Sequence, residues 1–251
     1  MAVMDEFKEQ RAALKNGTFK QKLSYFWYYY KWHTIGSIAA LVAVILLIHD
    51  IVSQKNEVFY AAMLNSSDLL QDESFAEQFM AYAGIDPNTD TATFDDSLSI
   101  SFSNLNEITL ASAQKLQATI IAGKVDVIVA GDELFENYAN DGVAADLRQM
   151  LTSEQLAVYE PCLYYVDYVL VEQIAEANYN LDTSFQPKIP DPTKPEQMED
   201  PIPVGIYVDS SKLLNDSYRF GDGDRIVVGF LANSQHTDMS IKFIEFLLGA
   251  E

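Results

Sequence analysis

Trp32 to Ile48 reads WHTIGSIAALVAVILLI, and from Thr34 to Ile48 it carries no charge, with Thr34 and Ser37 its only polar residues. At a rise of about 1.5 Å per residue, a helix over this stretch spans roughly 25 Å, and running on to Val52 gives roughly 31 Å. A bilayer core of about 30 Å takes about 20 apolar residues, so the stretch is long enough to cross. Immediately before it lies YFWYYYKW, residues 25–32, aromatic at every position but Lys31. Tyr and Trp collect at the headgroup level, and a lysine there extends its amine outward. Tyr25, Trp27, Tyr28, Lys31 and Trp32 are therefore the expected membrane-interface residues. A buried core helix needs neither an aromatic belt nor a basic flank on one side.

Charge gives the orientation. Residues 1–33 hold six Lys or Arg and three acids, net +3, whereas the rest of the chain is net −24. Basic residues beside a span stay in the cytoplasm, which places the N-terminus inside and the acidic bulk outside. No A-x-A cleavage site follows the apolar run, where the chain reads HDIVSQKNE, so the helix itself is the expected anchor. The expected divisions are a cytoplasmic juxtamembrane segment over 1–31, a transmembrane helix over 32–52, a polar stalk over 53–57 and an extracytoplasmic domain over 58–251.

About 200 residues beyond the span suffice for one domain with a real core. An apolar content of 49% with 12% aromatics excludes a disordered ectodomain. A single cysteine, Cys162, leaves no intrachain disulfide, so packing must hold the fold. The negative charge excludes DNA or RNA as partner, because a phosphate backbone is repelled.

Along the ectodomain, VFYAAMLN, residues 58–65, suits a strand buried on both faces. Ser66-Ser67-Asp68 reads as a helix cap, with a helix over 69–83 ended by Gly84. IDPNTDTATFDD reads as turns leading to a second strand over 98–103. Asn106 caps a helix with Ile108, Ala111, Leu116, Ile120 and Ile121 on its apolar side, closed by Gly123. A third buried strand, 125–131, leads into a helix over 132–139. Strands alternating with helices point to a parallel sheet with right-handed crossovers. GVAADL reads as a short extended piece, SEQLAVY as a short helix, and CLYYVDYVLVEQ as one long strand or two. Residues 178–203 hold six of the eight prolines and read as a loop. Strands over 202–209 and 225–234, a capped turn at SSKLLND and a helix over 237–248 complete the chain.

Four pieces resemble the type II extracellular solute-binding proteins: VFYAAMLNSS, LQATIIAGKVDVIVAGDELFENYANDGVAADL, PIPVGIYVDSSKLL and VVGFLANSQHTDMSIKFIEFLLG. The resemblance implies an α/β fold of periplasmic-binding-protein type with a mostly parallel sheet, set behind an N-terminal single transmembrane helix. GTFKQKLSYFWYYYKWH also resembles the leader of a group of single-span proteins from Gram-positive anaerobes. That solute-binding family has two lobes of over 100 residues with ligand held between them, whereas here only about 60 residues, 142–203, plus 210–224, remain for a second lobe. The second wall of a cleft is missing or reduced to a flap.

Catalytic and metal motifs are mostly lacking. DPNTDTATFDDS, residues 86–97, has Thr91 where a calcium loop needs glycine and Ser97 where it needs glutamate. Asp222 and Asp224 in FGDGDR read as a hairpin turn. His33 and His49 flank the span, and His236 sits at a helix start where capping accounts for it. No G-x-S-x-G, H-E-x-x-H or P-loop occurs. No catalytic residue, metal or cofactor is expected. Loops at the carboxyl ends of parallel strands are where α/β sheets hold ligands, which selects Asn65, Ser66, Ser67, Ser103, Asn104, Gly131 and Asp132, with Tyr164, Tyr165 and Tyr168 as an opposite wall. Ser66, Ser67 and Asp132 also fit as plain helix caps. The expected function is a non-enzymatic tethered sensor or accessory subunit, set against a tethered solute-binding component of a transporter and, third, a hydrolase. The expected partners are the lipid bilayer and a membrane protein, with a small-molecule ligand left open.

Overall fold

The computed structural model describes residues 18–70, 72–221, 223 and 225–249. The chain divides into two units, one ending at Gln54 and one beginning at Lys55. The first unit is a single helix in its described part, α1, Phe19–Ser53. Its apolar window, Tyr30–Ile48, is long and apolar enough to cross a membrane, and none of it is buried. Trp27, Tyr28 and Trp32 are exposed on the helix surface, Phe26 stacks on Tyr30, and Lys31 lies over the Trp32 ring. The side chain of Tyr25 and all of residues 1–17 lie outside the described residues. The helix is continuous through the aromatic belt and runs into the expected stalk: Ser53 closes it and Asn56 opens the next strand. Gln54 and Lys55 alone connect the two.

The second unit is built on a six-stranded sheet whose strands are β1 (Asn56–Met63), β3 (Asp90–Asp95), β4 (Val127–Gly131), β5 (Leu163–Asp167), β6 (Pro201–Tyr207) and β8 (Ile226–Phe230). Their order across the sheet is β3-β1-β4-β8-β6-β5. β3, β1 and β4 pair in parallel, and β8 and β5 run against their neighbours. Four of the six strands thus point one way, and the sheet is mixed rather than purely parallel. A separate two-stranded ribbon joins β2 (Ser66–Asp68) to β7 (Tyr218–Phe220).

Helices cover both faces. Along β1, Phe59, Ala61 and Met63 point to one core, while Tyr60, Ala62 and Leu64 point to the other; successive side chains of a strand alternate, so a continuous apolar run feeds two cores at once. The first core is aromatic. Phe75 and Phe79 of α2 (Ser74–Ala83) and Phe243 of α8 (Thr237–Leu248) meet Phe59 and Phe94 at centroid separations of 4.9–6.5 Å. On the other face Leu116 of α3 (Glu107–Ile121) and Leu134 and Phe135 of α4 (Asp132–Asn140) pack with Tyr164 of β5. Gly205 and Gly229, opposite each other across β6 and β8, leave the slot that the Phe135 ring fills.

Four segments differ from the sequence expectation. Residues 66–68 form β2 instead of a cap, and α2 starts only at Ser74. DTATFD is edge strand β3, because Thr91, Thr93 and Phe94 suit an extended half-buried edge once Phe94 reaches the aromatic core. The expected second strand, 98–103, is in no ladder, although Leu98 and Ile100 are buried. Finally, Tyr168–Tyr179 is helix α6. The Asp167 carboxylate accepts from Val169 N–H at 3.2 Å, and that cap turns the chain out of β5.

Residues 142–203 build no second lobe. After α5 (Ser153–Tyr159), β5 adds to the edge of the same sheet beside β6, α6 follows it, and the proline-rich stretch returns to β6 as loop with one short 3₁₀ turn. The Asn106 cap holds as read, accepting from Ile108 and Thr109 N–H while Thr109 returns a bond to its backbone. The remaining helix, α7 (Lys212–Ser217), is capped by Ser211.

Candidate functional site

The carboxyl ends of β1 and β4 were the expected ligand site, and the structure fills most of that crevice with its own chain. Asn65 adopts a left-handed conformation. Its amide brackets one residue, accepting from Ile100 N–H at 2.6 Å and donating to the Ile100 carbonyl at 2.7 Å. Ser66 Oγ donates to the Met63 carbonyl at 2.8 Å, and Ser66 and Ser67 lie in the ribbon opposite Phe220 and Arg219. These three residues hold backbone, as a tight turn requires. Ser103 and Asn104 are exposed in a turn ordered by Ser101, whose Oγ accepts from Asn104 N–H at 3.0 Å.

Gly131 and Asp132 sit beside what remains open there. Asp132 N–H donates to the Arg225 carbonyl at 2.9 Å and its carboxylate accepts from Arg225 N–H. Gly223, at φ +140°, presses on the Asp132 amide so closely that a Cβ there would sit 2.8 Å from it. The residual hollow is about 280 Å³ and is lined by Leu69, Gly131, Arg219 and Arg225 among others. The Arg225 guanidinium stacks 3.5 Å above the Tyr207 ring and pairs with Asp209 at 3.0 Å, which fixes its plane. Two guanidiniums in an acidic domain can take a small anion, and among the described residues of this hollow no nucleophile sits beside a base. Asp222 and Asp224 lie outside the described residues.

Tyr168 is not part of that end. It lies on the rim of a hollow of about 420 Å³, with Ala144, Ala145, Asp146, Val171 and Val204. This hollow opens where β5 ends and β6 begins, at the opposite end of the sheet. Arg148 clasps Asp146 there with three hydrogen bonds of 2.8–3.1 Å; burial alone raises the Asp146 carboxyl, but these bonds outweigh it and leave it below the usual range. Tyr164 is not a wall residue at all. It is buried edge-on to Phe135 at 5.1 Å, and burial raises its phenol far above the ordinary range.

One polar constellation escaped the sequence reading. Asp126, fully buried just before β4, accepts from Tyr60 N–H at 2.8 Å, from Ser234 Oγ at 2.6 Å and from His236 Nδ1 at 3.2 Å. The Ser234 hydroxyl and the His236 imidazole both bond the carboxylate and not each other, the hydroxyl accepting instead from the His236 backbone N–H at 3.1 Å. A catalytic relay needs the imidazole between hydroxyl and acid, so this arrangement is a clamp joining β1, β4 and the turn after β8. His236 opens α8 without a side-chain cap, so the carboxylate contact replaces the capping role expected of it. The available signal was a single acid inside the apolar run VDVIVAG, since a buried charge must find donors.

The would-be calcium loop is extended as β3, and its Asp95 is taken by Lys115 at 2.6 Å, Ser97 and Tyr60. Among the described residues no group of three His, Cys, Asp or Glu is placed to hold a metal ion. Cys162 Sγ donates to the Tyr159 carbonyl at 3.2 Å, and burial pushes its thiol up, away from the reactive thiolate. Compared with family models, curated proteins and solved structures, the chain matches none of them.

Proposed function

We propose that this chain is a membrane-tethered extracytoplasmic interaction module, a sensor or accessory subunit that works through protein contacts and without catalysis. The observation that carries this reading is the placement of residues 142–203: they extend the one sheet through β5 instead of facing the strand ends as a second wall. Solute capture in a cleft needs two walls that bury most of the ligand. The ribbon of β2 and β7 and the Asn65 bracket occupy the place where such a ligand would sit. In this reading the domain is a one-lobed relative of the type II solute-binding proteins, held at the bilayer by α1 with its N-terminus in the cytoplasm.

The test uses the full chain in intact cells and then in bilayer discs. Protease added outside should digest the acidic domain while a tag before Phe19 survives; protection of the domain overturns the topology. A thermal-shift screen with sugars, amino acids and polyamines should give no saturable stabilisation. The 420 Å³ hollow is within the size of ligand pockets. Saturable stabilisation would therefore favour the second reading, a tethered solute-binding component of a transporter.

A further inference from the structure

Helix α3 turns two hydroxyl side chains inward beside one leucine. The residues it buries are Thr109, Ser112 and Leu116. Thr109 Oγ1 donates to the Asn104 carbonyl at 3.2 Å, and Ser112 Oγ accepts from Ser99 N–H at 3.2 Å, so the helix rests on the ladderless segment 97–106 through hydrogen bonds. Leu116 reaches the core, with Ala113 and Ile120 packed against it, but three large apolar residues of the helix are left outside. Ile108 is 68% exposed, Leu110 54% and Ile121 75%, and Phe102 and Leu105 continue the patch beyond the helix start. Several large exposed apolar side chains on one helix of an otherwise charged domain mark a contact surface.

Charge singles out the same face. α3 carries only Glu107 and Lys115, and Lys115 is paired with Asp95, whereas residues 34–251 are net −24. Two copies of so acidic a body repel each other, and this helix adds a single acid, Glu107, to that repulsion.

Resting on the tethered reading above, we infer that α3 is where two copies of this chain pair, side by side and parallel. Ala111, Gln114, Ala118 and Ile121 recur at spacings of three and four along the exposed side, the seam of a two-helix coil. The two alanines allow close backbone approach, and each Gln114 amide meets its twin only when the helices are in register. Parallel pairing follows from the crossover. α3 connects the parallel strands β3 and β4, so it runs against β1. Parallel helices therefore put the β1 starts of both copies at the same end, as two anchors in one bilayer require, and antiparallel helices put them at opposite ends. A stable interface between free partners takes about 800 Å² from each. A fifteen-residue helix is only about 22 Å long. The pair is thus weak between free domains and forms through co-anchoring, which raises the effective concentration toward the millimolar range.

The experiment uses the full chain in reconstituted bilayers, with Cys162→Ala as background. Ala118→Cys is compared with Tyr179→Cys, a position 88% exposed on α6. Under mild oxidant, Ala118→Cys should form disulfide dimers at least about ten-fold faster than Tyr179→Cys, and adding Ile121→Glu should remove that advantage at an unchanged thermal midpoint. The rate should rise with salt, because screening weakens repulsion between like-charged copies. Equal rates at the two positions, an advantage that survives Ile121→Glu, a rate that falls with salt, or protection of Ala118 by lipid or by a different protein would each overturn the pairing. Protease accessibility read on the same vesicles separates the two failures. An accessible domain without the Ala118 advantage ends the pairing and leaves the tether standing, and a protected domain ends the tether itself.

Discussion

Replacing Gly229 with alanine sets two effects of opposite sign against each other. Glycine within a strand costs roughly 0.5–1 kcal/mol relative to alanine through backbone entropy, so on local grounds alone Gly229→Ala stabilises. The structure demands the reverse. A Cβ at 229 would lie 2.3 and 2.4 Å from two ring carbons of Phe135, against about 3.5–4.0 Å for an ordinary carbon contact. The ring must therefore retreat by more than about 1 Å. It has nowhere to go: Phe135 is 1% exposed and edge-on to Tyr164 at 5.1 Å. Overpacking of this kind costs about 1–3 kcal/mol, which exceeds the entropic gain. For a domain of roughly 200 residues a net loss of about 1 kcal/mol lowers the thermal midpoint by about 2–4 °C. The assay is thermal and urea unfolding of the full chain in detergent micelles, followed by circular dichroism. Phe135→Leu should be destabilising alone, yet combined with Gly229→Ala it should recover at least about 1 kcal/mol relative to the sum of the singles, because the two share one space. A Gly229→Ala variant as stable as the parent, or strict additivity in the double variant, refutes the slot between the two glycines.

Two further outcomes concern charge. Asp126→Ala removes a buried carboxylate that accepts from Tyr60 N–H, Ser234 Oγ and His236 Nδ1. The stranded backbone donor and the lost charge-assisted bonds should cost about 3 kcal/mol, against about 1 kcal/mol for Ser234→Ala, in urea unfolding; equal costs would mean that the clamp contributes little. Asp95 supplies the pH dependence. Burial alone raises its carboxyl, but hydrogen bonds from Lys115, Ser97 and Tyr60 outweigh this and hold it at about 2. A carboxylate depressed in the folded state stabilises above its unfolded value of about 3.9, and that contribution is lost as pH falls to its folded value. The stability gap between the parent and Asp95→Asn should thus be full above pH 4 and shrink between about pH 4 and pH 2; a gap constant across that window would sink the assignment.

Some of this was legible in the residues themselves. The uncharged run behind its aromatic belt reads as a helix because length and polarity are local properties, and α1 carries it with none of its apolar window buried. VFYAAMLN and VDVIVAG announce doubly covered strands because an apolar run without alternation has two dry faces. Asn106 and Gly84 mark their helix ends because capping involves only near neighbours. What the chain could not reveal locally depends on partners far along it. DTATFD becomes an edge strand only because Phe94 completes an aromatic cluster with residues as distant as Phe243. YVLVEQ, rich in strand formers, becomes a helix because the Asp167 carboxylate caps it and also accepts from the backbone of Glu199 and Asp200. Of the apolar residues named along α3, Leu116 reaches the core and Ile120 packs against it, while Ile108 and Ile121 stay exposed; Thr109 and Ser112 face inward because the segment beneath offers the Asn104 carbonyl and the Ser99 N–H beside its buried Leu98 and Ile100. Asn65, Ser66 and Ser67 sit at strand ends as expected, but the ribbon they help to form fills the crevice they were meant to line. Composition and spacing determine which stretches must leave water; only the tertiary structure decides which surface receives them, because burial is settled between segments and not within one.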